Sequence, residues 1–437
     1  MENRKKKIHI LTLGCPKNLV DSEILIAGLK DKFQIVEKPE KAQIILINTC
    51  GFIESAKQES IEKIFEAVEL KEKGKVESVY VMGCLSERYK DELEKEIPEV
   101  DKFFGVEKFN EILNELGIDY KYELLGEREI LTPKHFAYLK IAEGCDNPCS
   151  FCAIPIIRGK YVSRPMEDII KEARKLAWRG VKELIIIAQD TTYYGLDIYG
   201  KRKLAELLMR LSEIDGIEWI RLMYAYPAKF PVEVLDVMAQ NPKICKYIDI
   251  PIQHISDKIL KSMRRGITKQ KTIELLKMIR DKVPEVAIRT SLIVGYPGET
   301  QSDFEELIDF VASFKFDRLG VFTYSQEDGT PAFELGDPIP PDEKERRMAL
   351  LMNVQRDIIL EKNEKLLGKR LKVLVDRKEG DYFVGRTQWD APEIDLEVLI
   401  DGGDLKIGEF CEVEIYDYFE YDLIGRAITK QTEKTFC

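Results

Sequence analysis

The stretch Cys145-Asp-Asn-Pro-Cys149-Ser-Phe-Cys152 is a C-x3-C-x2-C run. Three thiolates on so compact a loop can hold three corners of an iron-sulfur cube and leave the fourth iron open to another ligand. A structural zinc ion would need a fourth donor close by. The next sulfur, Cys245, is far along the chain, and the histidines are His9, His135 and His254. A second set is split. Cys15, Cys50 and Cys84 stand 35 and 34 residues apart, each just after a short apolar run. That interval is about one βα unit, which predicts three thiols gathered beyond the carboxyl ends of parallel strands, where such sheets build their sites. The plainer reading is three small buried residues at strand ends. Cys245, Cys411 and Cys437 lack partner spacing and read as core filling and a free tail thiol.

The elements that must position these residues fall into three segments, expected over 1–125, 131–368 and 369–437. Apolar runs at 8–13, 43–47 and 76–82, each followed by a helical pattern, predict buried parallel strands and an N-terminal α/β domain. A polar stretch over 125–135 reads as a linker. Six further strands are predicted at 136–142, 183–188, 219–224, 247–250, 287–294 and 318–323, alternating with helices, which fits a partial (β/α)6 barrel. Polar residues follow these strands directly, as on the catalytic face of a barrel: Glu143-Gly-Cys145, Gln189-Asp190, Gln253-His254 and the loop Gly295-Tyr-Pro-Gly298-Glu-Thr300. Gln189, Asp190, Gln253 and Arg289 are candidates to bind cofactor or substrate, with simple solvation as the alternative. Glycines 295 and 298 let backbone approach a ligand closely. Asp342 is read as the N-cap of a long helix running to 367. Five short alternating strands after Gly368 predict a small OB-like, five-stranded β-barrel.

The chain has 437 residues and a formal net charge of −11. No stretch approaches the ~18 uncharged apolar residues of a membrane span, and the start carries no signal-type cleavage site. A cytoplasmic protein without membrane or disulfide scaffold is expected, with cysteine serving metal or catalysis. Over 370–437 there are nine basic and sixteen acidic residues, a balance that repels phosphate backbones.

The C-x3-C-x-aromatic-C pattern with Phe151, on a partial β/α barrel, resembles the radical S-adenosylmethionine (SAM) superfamily. Three more cysteines in a preceding α/β domain, and a C-terminal barrel similar to a TRAM domain, narrow this to the methylthiotransferases. Within these, the stretch from Leu13 to Glu23, the stretch from Gly144 to Pro155, Gln189-Asp-Thr-Thr192 and Gly385-Arg-Thr-Gln-Trp-Asp-Ala-Pro-Glu-Ile-Asp395 resemble the branch that modifies a ribosomal protein. The tRNA-modifying branch usually carries Gln-Met-Asn after the first cysteine, where this chain has Pro16-Lys17-Asn18.

This resemblance implies that Cys145, Cys149 and Cys152 hold the 4Fe-4S cluster that binds SAM, with Phe151 beside the adenine and the Gly295–Thr300 loop completing the site. It implies that Cys15, Cys50 and Cys84 hold a second 4Fe-4S cluster. The implied substrate is an aspartate β-carbon on a small-subunit ribosomal protein. Removing hydrogen from such a carbon is beyond any side-chain base, so a radical generator is needed. An electron donor of reductase or flavodoxin type and a sulfur source are implied partners. The acidic barrel fits a basic ribosomal protein better than a tRNA, and Asp390, Glu393 and Asp395 beside Trp389 are the expected docking patch. Trp389 is either an interface anchor or a cap on the barrel core. The competing readings are a tRNA methylthiotransferase and, from another class, a zinc-stapled binding module without catalysis.

Overall fold

The computed structural model describes residues 5–118 and 127–428. Cys437 and the first two residues of the expected linker lie outside the described residues. The first sheet contains β1 (Lys6–Thr12), β2 (Phe33–Ile35), β3 (Ile44–Thr49), β4 (Ser78–Gly83) and β5 (Lys102–Phe103), all parallel in the order β2-β1-β3-β4-β5. The apolar runs are continuous rather than alternating because both faces are covered. Ile45, Ile47, Val79 and Val81 enter one core, whereas Ile8, Ile44, Leu46 and Met82 enter the other. Helices α1 (Pro16–Leu29), α2 (Glu54–Glu72) and α3 (Cys84–Glu96) follow β1, β3 and β4. The short edge strands β2 and β5 were not predicted; two or three residues carry too little periodicity to register.

The central sheet comprises β6 (Phe136–Lys140), β9 (Glu183–Ile187), β10 (Trp219–Leu222), β11 (Ile244–Asp249), β12 (Ala287–Val294) and β13 (Arg318–Thr323), parallel neighbours in that order, with a small ribbon of β7 (Ala142–Glu143) and β8 (Val162–Ser163) beside it. Its outward residues, among them Leu184, Ile186, Ile220, Leu222, Ile248 and Leu292, pack on helices. The inward set Phe136, Tyr138, Ile185, Ile187, Trp219, Cys245 and Tyr247 forms a separate core, sealed by Val20 of α1 and by Leu374 and Ala391 of the C-terminal domain. The six parallel strands therefore make a partial barrel plugged by both neighbours.

The C-terminal domain is a closed barrel of β14 (Arg370–Glu379), β15 (Tyr382–Arg386), β16 (Val398–Asp401), β17 (Phe410–Phe419) and β18 (Asp422–Ala427), in the order β14-β15-β16-β18-β17. Cys411 packs against its core. Among the described residues no helix is long and apolar enough to cross a membrane.

Three expectations are corrected. Asp342 does not cap the long helix, which spans Pro341–Glu364: Pro341 occupies the first turn, where a missing N–H is harmless, Pro340 takes the cap position, and Asp342 sits in the first turn. The polar 125–135 stretch is not solvated throughout. Arg128 is buried between Glu23 of α1 and Glu172 and donates to the Tyr138 carbonyl, so the connection is bolted to both domains. The expected docking patch is largely internal. Asp390 is buried against Arg318, and Asp395 accepts from Tyr247 Oη at 2.7 Å and lies 3.4 Å from Arg289. Trp389 packs where the C-terminal barrel core meets the central core. Paired carboxylates of this kind compensate buried cations from another domain, which a composition count cannot distinguish from a solvated acidic face.

Candidate active site

The split triad is assembled by strand register. Thr12 of β1 pairs with Asn48 of β3, and Thr49 of β3 with Gly83 of β4, so the three chain exits from adjacent strands lie level. Cys15 is the N-cap residue of α1, Cys50 follows β3 and Cys84 opens α3. Two glycines permit the convergence. Gly14 has φ +86°, and a methyl group there would lie 2.7 Å from Cys50 Cβ; Gly83 has φ +101°, and a methyl would lie 2.5 Å from Asn48 Oδ1. Burial pushes the Cys84 thiol up to about 12.

The compact triad lies on the loop after β7. Asn147 Nδ2 donates to Cys145 Sγ at 3.5 Å and to Asp190 Oδ2 at 2.8 Å. Arg265 Nη1 donates to Cys149 Sγ at 3.1 Å, and Tyr226 Oη lies 3.6 Å from the same sulfur. Burial raises Cys145 to about 11 and Cys152 to about 12. Burial therefore disfavours the charged form at Cys145 and Cys152, and a bound metal would favour it.

Between the triads lies a layer of charge that no motif announced. Arg158, six residues past Cys152 on the helix Ile154–Arg158, donates to Glu143 Oε1 at 2.8 Å, to Asn18 Oδ1 at 2.6 Å and to Asp21 Oδ2 at 3.1 Å. Its Nη2 also reaches Cys84 Sγ at 3.7 Å. Lys140 bridges Asp21 at 2.5 Å and Glu143 at 2.6 Å. Burial alone would raise Glu143, but Lys140 and Arg158 outweigh it and hold the carboxyl well below its ordinary range. Lys17 lies just above, 8% exposed, with Nζ 3.5 Å from the centre of the Tyr224 ring. Burial lowers its ammonium below the usual lysine value. A second clamp joins Arg88 of α3 and Lys57 of α2 to the buried Glu327, beyond β13, at 2.7 and 3.2 Å.

The remaining candidates divide. Gln189 donates to Glu143 Oε1 at 2.7 Å, and its own Oε1 is buried with no partner among the described residues. Gln253 has φ +72° at the barrel mouth, held by backbone bonds to Ser291 and Ile293. Phe151 packs with Met263, Tyr296 and Tyr324 on the same face. Gly298 is open on its free side, but the space beside Gly295 is filled: a methyl there would lie 2.4 Å from Lys344 Cγ, so a side-chain stem uses that approach. Arg289 is paired with Asp249 at 2.9 Å and faces Asp395 of the C-terminal barrel, which occupies its charge.

The donor sets fit iron-sulfur clusters. Neither triad has its three sulfurs all within 4.8 Å of one another, whereas the ligands of one tetrahedral zinc, at ~2.3 Å from the ion, would be about 3.8 Å apart. His9, His135 and His254 bond to the Val36 carbonyl, Asp376 and the Ser256 amide, so none completes a zinc set as it stands. The group Asp21, Glu107 and Glu143 is close enough for a single ion, but Lys140 already pairs with all three.

Comparison with known proteins agrees with this geometry. Residues 139–311 match the radical SAM superfamily, residues 7–105 a family described as uncharacterized protein family UPF0004, and residues 367–428 the TRAM domain. Among solved structures, the radical SAM methyltransferase TsrM from Kitasatospora setae shares the fold with a TM-score of 0.56 at 14% identity, covering 75% of this chain and 77% of that one. The chain is 55% identical to the ribosomal protein uS12 methylthiotransferase RimO of Cytophaga hutchinsonii, over 98% of its length and 99% of the relative's. It is 56% identical to the protein of that name from Flavobacterium johnsoniae, over 97% and 98% of the two chains. Full-length identity at this level means that the chain belongs to the RimO family of radical SAM methylthiotransferases.

Proposed function

We propose that this protein attaches a methylthio group to the β-carbon of an aspartate in ribosomal protein uS12. The observation that carries the reading is the meeting of two thiol triads from different domains across one buried charged layer. Cys145, Cys149 and Cys152 would hold the 4Fe-4S cluster that binds SAM, and Cys15, Cys50 and Cys84 a second one. Reduced iron-sulfur with SAM supplies the radical that takes hydrogen from an unactivated carbon, and the second cluster supplies a place for sulfur. Arg265 and Asn147 offset thiolate charge at Cys149 and Cys145. Phe151, the open side of Gly298 and the unpartnered Oε1 of Gln189 would face SAM, with Gln253 at the barrel mouth beside them.

The division of labour follows the segments 1–125, 131–368 and 369–437. An electron donor of reductase or flavodoxin type and a sulfur source are required from outside the chain. Action on a ribosomal protein places the work in the cytoplasm. The tRNA reading is disfavoured by the full-length identity to ribosomal protein methylthiotransferases. Anaerobic reconstitution should yield about 8 iron per chain, as expected for two cubes. Mass spectrometry of uS12 and of tRNA from cells with and without the protein decides the substrate: loss of the methylthio group from tRNA with uS12 unchanged would overturn the proposal.

A further inference from the structure

Resting on that reading, we propose that Lys17 is the residue that recognises the carboxylate of the substrate aspartate. The cations around it are spoken for: Arg158 by Glu143 and Asp21, Lys140 by Asp21 and Glu143, Arg289 by Asp249. Lys17 has no carboxylate within ion-pair distance and no hydrogen-bond acceptor among the described residues, although it is more than nine-tenths buried. Its ammonium lies on the face of Tyr224, and Cys15, Glu143 and Asp249 act on it as anionic groups without forming an ion pair or hydrogen bond with it. An ammonium on an aromatic floor is stabilised in part by the ring, which leaves its hydrogen-bond donors without a protein acceptor among the described residues. The chemistry that completes it is an anionic acceptor, and a carboxylate makes the stronger, charge-assisted kind of hydrogen bond.

The placement supports a substrate rather than a structural counter-ion. Lys17 is two residues from Cys15 in the first turn of α1, a helix of 14 residues whose amino end itself favours anions. Tyr224 leaves β10 at the barrel mouth in the left-handed region, φ +59°, a strained conformation for a bulky residue, held by Asp249 on its N–H and by Thr191 on its carbonyl. Two residues on, Tyr226 faces Cys149. One short segment therefore touches the compact triad with one ring and carries Lys17, from the helix that Cys15 caps, on another. An aspartate gripped at Lys17 has its β-carbon, one bond from the carboxylate, between the two sets of thiols.

The test uses the reconstituted enzyme with uS12 carrying either Asp or Asn at the target position. Wild type should favour Asp by roughly tenfold or more in kcat/KM, chiefly through KM, the size expected of one charge-assisted bond. Lys17→Met should bring the two substrates within about twofold, and Lys17→Arg should restore most of the preference. Affinities for the two uS12 forms, measured by anisotropy without turnover, should follow the same order. Iron content reports whether Lys17→Met still loads its clusters; if it does not, Lys17→Gln, neutral but polar, is read by the same criterion. A loaded neutral variant that keeps the wild-type preference for Asp overturns the role of Lys17 while leaving the proposed function intact. Absence of product from wild type with either form overturns the function and this proposal with it.

Discussion

The two cysteine triads are built in opposite ways. Cys145, Cys149 and Cys152 ride one loop, so their spacing is local and survives whatever the surrounding sheet does. Cys15, Cys50 and Cys84 meet only because β1, β3 and β4 are adjacent and in register. A ligand set on a loop depends on a few backbone angles, whereas a set spread over three strand ends depends on the fold of its whole domain. The split triad should therefore be the more fragile of the two, and the domain interface beside Cys84 part of its support.

The largest effects come from removing each set. Replacing Cys145, Cys149 and Cys152 together by Ala should abolish reductive SAM cleavage yet leave about half the iron, on the N-terminal domain. Replacing Cys15, Cys50 and Cys84 should leave 5′-deoxyadenosine formation and remove methylthio product. Iron analysis and chromatography of both products check the pair; 5′-deoxyadenosine from the first variant, or full product from the second, would break the division.

Next come the buried charges between domains. Arg158→Met strips Asp21 and Glu143 of a shared partner, and loss of one member of a buried pair costs about 3–5 kcal/mol. Denaturant unfolding of the unloaded chain should report it, and iron should be lost from the split triad before the compact one. Asp390→Asn, which leaves Arg318 without its carboxylate at the other end of the barrel, should cost about as much in stability but spare both clusters. Gly83→Ala should cost about 1–3 kcal/mol, because φ +101° and the Asn48 and Thr49 contacts leave no room for a methyl. Iron retained on Cys15, Cys50 and Cys84 at wild-type levels in that variant would show the triad to be less dependent on register than the geometry implies.

The sequence made both triads legible for different reasons. The compact one is a contiguous pattern. The split one emerged because 35 and 34 residues match a βα unit and each cysteine ends an apolar run. The parallel sheets were readable because burial on both faces leaves unbroken runs of Ile, Leu and Val, as in β3. Arg158, Lys140 and Asp21 carry no such signal, since a charged residue is usually solvated and nothing local distinguishes one that enters an interface, and Lys17 stands out only as part of a branch-specific stretch, without a role. The charge pattern that suggested a docking patch at Asp390 and Asp395 failed for the same reason. Net charge counts residues, but their partners Arg318 and Arg289 lie far away in sequence and on another domain.

Glu393 is the remaining member of that acidic group, and it gives the smallest and most discriminating test. Unlike Asp390 and Asp395, it is exposed, and its backbone sits at φ +69°. Neutralising it as Glu393→Gln should leave stability within about 0.5 kcal/mol, the usual range for a surface change. Glu393→Asn removes the same charge but suits the left-handed backbone better, so its stability should equal or exceed that of the Gln variant by a few tenths of a kcal/mol. If the C-terminal barrel steers a basic ribosomal protein by its field, both variants should weaken uS12 binding equally, and the loss should shrink as salt rises and the screening length falls below ~8 Å. Equal affinities for wild type and both variants at low salt would place the steering charge elsewhere on the barrel. A loss confined to one variant would indicate a contact made by the side chain or backbone at this position rather than by its charge.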